Sequence, residues 1–475
     1  MNRMDSAVLS LHLTVLEARG LVRVVGEGPD RIIRFKHALV REAGYDSILN
    51  AQRAQLHRRV ADAIQSLYPE RDLNLSLTLA GHYLNARAFL EFEEELLPRS
   101  RQIISSGRGQ ALIDLIQRVP AEWIQTGEFD METMLGEAYQ ARGDYARARE
   151  LFKEVLDNVQ NKTTRSRVLY DLGVTLMRLS QPQQAIEYHR QSLTLAQEIG
   201  DELLQAWALR GIGIAYWVSA DYEQAERFLA QSRELSARVG DTLGLAHCQL
   251  DLSSVYRDRG EYPRAIDVAQ AALQLYRASG LVVLAANAEQ VLGACYYSAG
   301  DLQSAAACYE RATATSRELG DPIGEAVGIG NLAELYDDLG HLDRAGDYYT
   351  RASALAVRLH DDYILSFALT GLALVQLKQM QAQKDAAAGE RARVNAEQAL
   401  AAATRLNSKE RIGAAHRMLA QIEVACGDRA QAQAQAKCAV EMLEQVGHAL
   451  ELKRAMEVYA DALRPGDEMD IPQGG

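Results

Sequence analysis

Proline is scarce in this chain of 475 residues, nine in all, so little interrupts long helices, each interior proline costing about 3 kcal/mol. Aromatic residues make up 6 % and are mostly tyrosine; alanine, the best helix former, fills the helical stretches instead. The five cysteines, Cys248, Cys295, Cys308, Cys426 and Cys438, form no C-x2-C pair and are odd in number. That speaks against a disulfide framework and a zinc site, and leaves them as small buried hydrophobes. No run approaches the roughly twenty uncharged apolar residues of a membrane span, and the first residues lack the apolar core of a signal peptide. The expectation is a cytoplasmic protein without a membrane partner. A net charge of −13 argues against broad nucleic-acid binding.

Catalytic signals are equally thin. The chain holds no G-x4-G-K-[ST] phosphate loop, no H-E-x2-H and no G-x-S-x-G. Gly328-Ile329-Gly330-Asn331-Leu332-Ala333 imitates a dinucleotide loop, but no strand precedes it and its glycines read as packing residues. The ten histidines are scattered, and His57, within a charged amphipathic stretch, is expected in solvent. The reading is non-enzymatic, with no catalytic residues, no metal and no cofactor held by this chain.

What the chain does have is a repeat of forty residues in strict register. Steps of forty from Gly173 land on Gly213, Ser253, Gly293, Ala333 and Ala373, all small. Twelve residues after the first five stand Ala185, Ala225, Ala265, Ala305 and Ala345, and seven further on Ser192, Ser232, Ala272, Ala312 and Ala352. Three residues after them lie Leu176, Tyr216, Tyr256, Tyr296 and Tyr336, a large side chain one helical turn beyond each small one. Gly200-Asp201, Gly240-Asp241 and Gly320-Asp321 separate units, with Gly closing one helix and Asp capping the next. Each unit is therefore a helical hairpin.

Gly136, Tyr139 and Ala148, turning at Gly143-Asp144, add a unit upstream. Downstream, Ala392 and Ala399 arrive seven residues late; seven is two helical turns, so both helices of that hairpin can lengthen without losing face. Ala420, Ala432 and Ala439 mark a last unit, turning at Gly427-Asp428, before a closing helix from His448 to Leu463. These repeats resemble the tetratricopeptide repeat through Leu172-Gly173 with Leu176, Ile212-Gly213 with Tyr216, and Leu292-Gly293 with Tyr296, together with the alanines. The family period is shorter; the longer hairpins here resemble the branch found in bacterial regulators and scaffolds. The resemblance implies an all-α, right-handed superhelical solenoid whose first helices line a concave surface.

The first sixty residues differ: ten Lys and Arg against six Asp and Glu give about +4, leaving about −17 for the remainder. Ser6 to Arg19 reads as a helix; Leu21–Val25 and Arg31–Phe35 read as strands around a turn at Gly26–Asp30. That is the second half of a winged helix. With the run from Phe35 to Tyr45 and the helix from Arg53 to Ala61, it is similar to the winged-helix part of signal-transducing ATPases with numerous domains. In that family a winged-helix histidine approaches the phosphates of bound nucleotide, and the resemblance places His37 in that role. ATP or ADP enters only if an ATPase core is supplied by a longer product or a partner, since this chain begins inside the winged helix. The apolar helix around Val8, Leu11 and Val15, and the few cations Arg23, Arg31 and Arg34, make DNA contact a minor alternative.

The expected division is a partial winged helix over 1–60, a degenerate helical linker over 61–128, the repeat array over 129–445, a capping helix over 446–463 and a disordered tail over 464–475. By the family register, groove positions lie six and three before each anchor and one, four and five after it. They hold Arg167, Tyr170, Met177 and Arg178; Trp207, Arg210 and Trp217; His247, Ser254, Arg257 and Asp258; Asn287, Gln290 and Tyr297; then Glu334, Asp337 and Asp338. Aromatic and arginine side chains on a rigid concave surface suit an extended peptide or an acidic ligand. The functional reading is a protein-interaction and sensing module of an ATPase-type regulator, binding a peptide, a protein or a small effector. The alternative is a scaffold without nucleotide linkage, in which the N-terminal piece caps the open end of the array.

Overall fold

The computed structural model describes residues 6–25, 32–120, 123, 130–383, 386–446 and 449–464. The chain divides into two compact units, residues 1–164 and 165–475.

The first unit opens with α1 (Ser6–Ala18), β1 (Val22–Val25) and β2 (Ile32–Phe35). The strands pair antiparallel, Val22 opposite Phe35 and Val25 opposite Ile32. The turn expected at Gly26–Asp30 lies outside the described residues. Gly20, at φ 70°, lets the chain leave α1 for the hairpin. Then come α2 (Ala38–Asp46), α3 (Asn50–Leu67), α4 (Leu73–Asn85) and α5 (Phe89–Leu96). A bent helical segment with Gly107 at φ 78° leads to α6 (Gly109–Ile116). Leu79, Tyr83, Phe92, Leu96, Leu112 and Ile116 form the core here. The unit ends with the hairpin α7 (Asp130–Ala141) and α8 (Tyr145–Asn158).

His57 departs from its expected exposure. It is half-buried, with Tyr45 Oη 2.7 Å from its Nε2 and His82 Nδ1 2.8 Å from its Nδ1. Burial, then His82, then Arg118 lower its pKa.

From α9 (Lys162–Arg178), which carries the boundary between units, the chain runs as consecutive hairpins: α10 (Pro182–Ile199), α11 (Glu202–Val218), α12 (Tyr222–Val239), α13 (Thr242–Asp258), α14 (Tyr262–Ala278), α15 (Val282–Ser298) and α16 (Leu302–Glu318). They continue as α17 (Pro322–Asp338), α18 (Leu342–Leu359), α19 (Asp362–Gln383), α20 (Ala386–Arg405), α21 (Lys409–Cys426), α22 (Arg429–Val446) and α23 (Ala449–Leu463). His448 and the tail beyond Arg464 lie outside the described residues.

The turns explain the strict period. Left-handed backbone recurs every twenty residues, at Ser180, Gly200, Ala220, Gly240, Gly260, Gly280, Gly300, Gly320, Gly340 and His360. At each, the chain leaves one helix and re-enters the next with a single residue at positive φ, for which glycine carries no Cβ penalty. Aspartates then cap the following helices: Asp201, Asp241 and Asp321 each accept from a backbone N–H three residues on.

Packing obeys a second rule. The residue sixteen after an anchor is a knob from the second helix, and four large knobs stand opposite a glycine anchor; Tyr349, opposite Ala333, finds its space at Gly371 of the next helix instead. A Cβ on Gly136 would stand 2.5 Å from the Phe152 ring, on Gly173 2.5 Å from His189, on Gly213 2.6 Å from Leu229 and on Gly293 2.6 Å from Tyr309. Where the anchor is Ser253 the knob is Ala269, small for small. The tyrosines beyond the anchors tie each unit to the one before: Tyr216 Oη accepts from Arg190 at 3.0 Å, Tyr296 Oη accepts from Gln270 at 2.9 Å, and Tyr256 Oη donates to Glu226 at 2.9 Å.

The repeat alanines Ala185, Ala225, Ala265, Ala305 and Ala345 are all fully buried. Ala265→Leu is therefore expected to cost about 1–3 kcal/mol by over-packing, and an undiminished melting temperature would refute the register. The seven extra residues are shared: α19 has 22 residues and α20 has 20, against 17 in α17 and 18 in α18, the hairpin before them. By length and composition α19 could cross a membrane, over Asp362–Ala382, yet Ile364, Ala368, Leu369, Ala373 and Leu377 are buried within the array. Three cysteines are buried as expected, Cys248, Cys295 and Cys308; Cys438 is half-buried and Cys426 exposed, a departure that follows from their places on the turn and outer helix of the last hairpin.

Candidate functional site

The first helices of successive hairpins, α11, α13, α15, α17 and α19, carry most of the predicted groove positions. Side chains on them meet across neighbouring units at a constant separation of forty-one residues. Arg210 Nε donates to Asp251 Oδ2 at 2.5 Å, Trp217 Nε1 to Asp258 Oδ2 at 2.8 Å, and Lys378 Nζ to Asp337 at 2.8 Å. Tyr297 Oη donates to Asp338 Oδ2, and Asn331 Nδ2 reaches Gln290 Oε1 at 3.5 Å. One repeat plus one residue is the step that brings a side chain on one helix level with its counterpart on the next.

At the N-terminal end of this unit the aromatics cluster. Tyr170 lies 6.0 Å from Trp207 and 5.3 Å from His189, centroid to centroid. Trp207, Arg210 and Trp217 are half-buried, as are Arg167 and Met177, while Arg178 is exposed. Burial alone would depress the Arg210 pKa; Asp251, then Tyr170, more than reverse that and hold the guanidinium charged. His247 turns toward its own hairpin, its Nδ1 2.6 Å from Tyr276 Oη. Burial and then Arg210 push its pKa down to about 4. Arg257 pairs with the adjacent Asp258 at 2.9 Å.

Ion pairs set the charge pattern of these positions. Arg210 and Arg257 are neutralised inside the groove by Asp251 and Asp258, whereas Glu334 makes no hydrogen bond or ion pair among the described residues. Glu334 touches water, but the enclosing protein and then the Asp338 carboxylate raise its pKa. Not every predicted position is open. Gln290 and Ser254 are buried, and Gln290 donates to the carbonyl of Gly324 at 3.0 Å, a joint between units. Asp337 is likewise buried beneath Lys378, and Asn287 is exposed. His37 lies at the start of α2 with extended backbone, exposed, and without a side-chain capping bond.

Sequence reasoning missed His189, Asp251 and Lys378, and it placed Asp258, Asp337 and Asp338 among the groove positions without the pairings they make. His189 is fully buried, and neither ring nitrogen has a hydrogen-bond partner among the described residues; its position sixteen after Gly173 marks it as a knob, wedged also against Gly211. Burial pushes its pKa down to about 3 from 6.5. As pH falls below 6.5, the unfolded chain takes up a proton that the folded chain refuses until about pH 3, so stability drops across that window. His189→Leu is expected to flatten this acid loss. Urea unfolding at pH 7 and pH 4.5 measures it, and an equal loss in both proteins would count against a neutral buried imidazole.

Two cavities, of about 370 and 340 Å³, lie elsewhere on the array: one lined by Arg277, Glu289 and Arg311, the other by Val357, Leu369 and Arg405. No predicted groove residue lines either.

A chain of helical hairpins with side-chain rungs along its first helices defines a repeat protein with an extended lining. Residues 129–198, 164–238, 204–278 and 248–318 match the tetratricopeptide repeat, and residues 329–362 match a second profile of the same repeat. No curated protein matches the chain. Among solved structures, the chain is similar to a Rap protein complexed with competence and sporulation factor, at 15 % identity over 77 % of this chain and 96 % of that one, with a TM-score of 0.48. It is similar to a signal transduction ATPase with numerous domains from Pyrococcus horikoshii that has a tetratricopeptide repeat sensor, at 15 % identity and a TM-score of 0.48, covering 94 % of this chain and 60 % of that one. It is similar also to the apo quorum sensor NprR from B. thuringiensis, at 14 % identity over 74 % of this chain and 99 % of that one, with a TM-score of 0.47.

Proposed function

We propose that this protein is a non-enzymatic interaction and sensing module that holds a protein or peptide partner along the first helices of its repeats. The observation that supports this best is the run of half-buried aromatics, Tyr170, Trp207 and Trp217, held on rigid helices by Arg210–Asp251 and Trp217–Asp258 rungs. Aromatic side chains fixed in this way bind with little loss of conformational freedom. A small effector is a second ligand class for the same surface. Replacing Arg210 and Trp217 together by alanine is expected to abolish partner binding while the far-ultraviolet helical signal stays near wild type. An unchanged affinity for the captured partner would sink this site.

The finer reading is that the module belongs to an ATPase-type regulator and passes its bound state to a winged-helix segment containing His37. The helix and antiparallel hairpin over residues 6–35 support it. Reading the translated locus upstream of Met1 tests it. A phosphate-loop ATPase in frame would support the nucleotide link and make His37 worth replacing; a stop codon with an independent ribosome-binding site would leave a scaffold.

A further inference from the structure

Arg411, in the first turn of α21, is only 9 % exposed. Its Nε and Nη2 have no hydrogen-bond partner among the described residues. Together these two N–H groups form the side-on fork with which a guanidinium grips a carboxylate. The same fork is filled elsewhere in the chain. Arg71 donates from Nε at 2.9 Å and from Nη2 at 2.5 Å to the two oxygens of Glu95, and Arg405 donates to Asp362 at 3.1 and 2.5 Å. Around Arg411 stand two aromatic rings instead, Tyr363 at 5.6 Å and Phe367 at 5.5 Å from the guanidinium carbon.

Rings offset part of the cost of burying a cation but leave its N–H groups unmade. A buried charge without a counter-ion is among the most destabilising arrangements a fold contains. Burial lowers the Arg411 pKa; Tyr363, Glu410 and Glu451 oppose the shift from a distance, and Arg417 adds to it. Arg417 and Glu451 are occupied with each other at 3.1 Å. Phe367 stands six residues before Ala373, the position that Trp207 and His247 hold in their units. Tyr363, whose ring lies on the guanidinium, is 49 % exposed and so forms the boundary between Arg411 and solvent.

We propose that Arg411 anchors a carboxylate-binding subsite at the C-terminal end of the groove, reached when the Tyr363 ring swings aside. Its place rests on the groove reading; its chemistry does not. One buried guanidinium matches one negative charge, and the nearby Glu410 and Glu451 oppose a dianion such as phosphate. The carboxylate belongs to the C-terminus of a peptide, to an acidic side chain, or to a small organic acid, and all three present the same planar pair of oxygens.

The test uses the full chain and its melting temperature at pH 7 and constant ionic strength, with sodium acetate replacing sodium chloride. Acetate is expected to raise the melting temperature of the wild type. Arg411→Met is expected to melt higher than wild type in chloride, because an unpaired buried charge is gone, and to lose the acetate response. Arg411→Lys keeps the charge without the fork, and at least a tenfold weaker apparent affinity for acetate is expected. Absence of an acetate response in the wild type overturns the proposal. So does an Arg411→Met protein that melts lower than wild type with Glu410→Gln reproducing the loss, since the counter-ion would then be internal. Tetra-alanine as the free acid, against an amidated tetrapeptide with one internal glutamate, distinguishes the sources: response to the first alone indicates a peptide C-terminus, to the second alone a side chain, to acetate alone a small acid. Failure of the groove reading would appear separately, as undiminished partner capture by the Arg210→Ala, Trp217→Ala protein with the acetate response intact.

Discussion

Phe152→Ala is expected to lower the stability of the first unit by about 3–5 kcal/mol. Phe152 is fully buried in α8, and its ring occupies the space that the missing side chain of Gly136 leaves on α7. Truncation removes the transfer free energy of the ring and opens a cavity that two helices already in contact cannot close. Gly136→Ala alone should also destabilise, by about 1–3 kcal/mol of over-packing. Combined with Phe152→Ala, the alanine at 136 should cost almost nothing, because the ring it would strike is gone. Native-state hydrogen exchange in α7 and α8 localises the effect to this unit. Additive losses in the double variant would show that Gly136 and Phe152 do not share that space.

The second large effect is at a rung. Asp251→Ala is expected to destabilise the second unit by about 3 kcal/mol, near the lower end for removing one member of a buried ion pair. The lower end applies because Arg210 and Asp251 side chains remain 26 % and 17 % exposed. Most of the loss is the cost of leaving the Arg210 guanidinium half-buried without its acceptor. Replacing both, as Arg210→Met with Asp251→Leu, should recover most of it. A urea-melt cycle over the four proteins measures the coupling; equal losses in the single Asp251 variant and in the double would remove the pair from the account of the groove.

These two pairs show what could be read in the residues before the fold was known. The anchors and alanines were visible because smallness at fixed spacing is a property of residue type alone, and all five alanines are buried where the period places them. The extra seven residues after Ala373 were legible for the same reason, since two whole turns preserve a helical face. The knobs were not. Phe152, His189, Leu229 and Tyr309 share a position but not a residue type, and they acquire their common role only against the glycine opposite each one. The groove was half legible. Period and register placed Arg210, Trp217 and Asp258 on the first helices, but each side chain meets the one forty-one residues on, one beyond the repeat, so stepping by forty shows neither Asp251 nor the pairing of Trp217 with Asp258. That single residue of offset is what pairs Arg210 with Asp251. Gln290 was misplaced for a similar reason: only the approach of the next hairpin buries it. At three turns, Ser180, Ala220 and His360 hold left-handed backbone without glycine, and residue type alone does not announce them.

The forty-one-residue rungs also determine how the second unit would answer a pull on its ends. Each rung joins a hairpin only to its immediate neighbour, so a tensile load is carried in series and every unit bears the same force. Such an array extends like a spring at small loads, by opening slightly at each joint. At larger loads it lengthens in steps as hairpins detach singly, each step releasing at most about 130–145 Å of chain for forty residues.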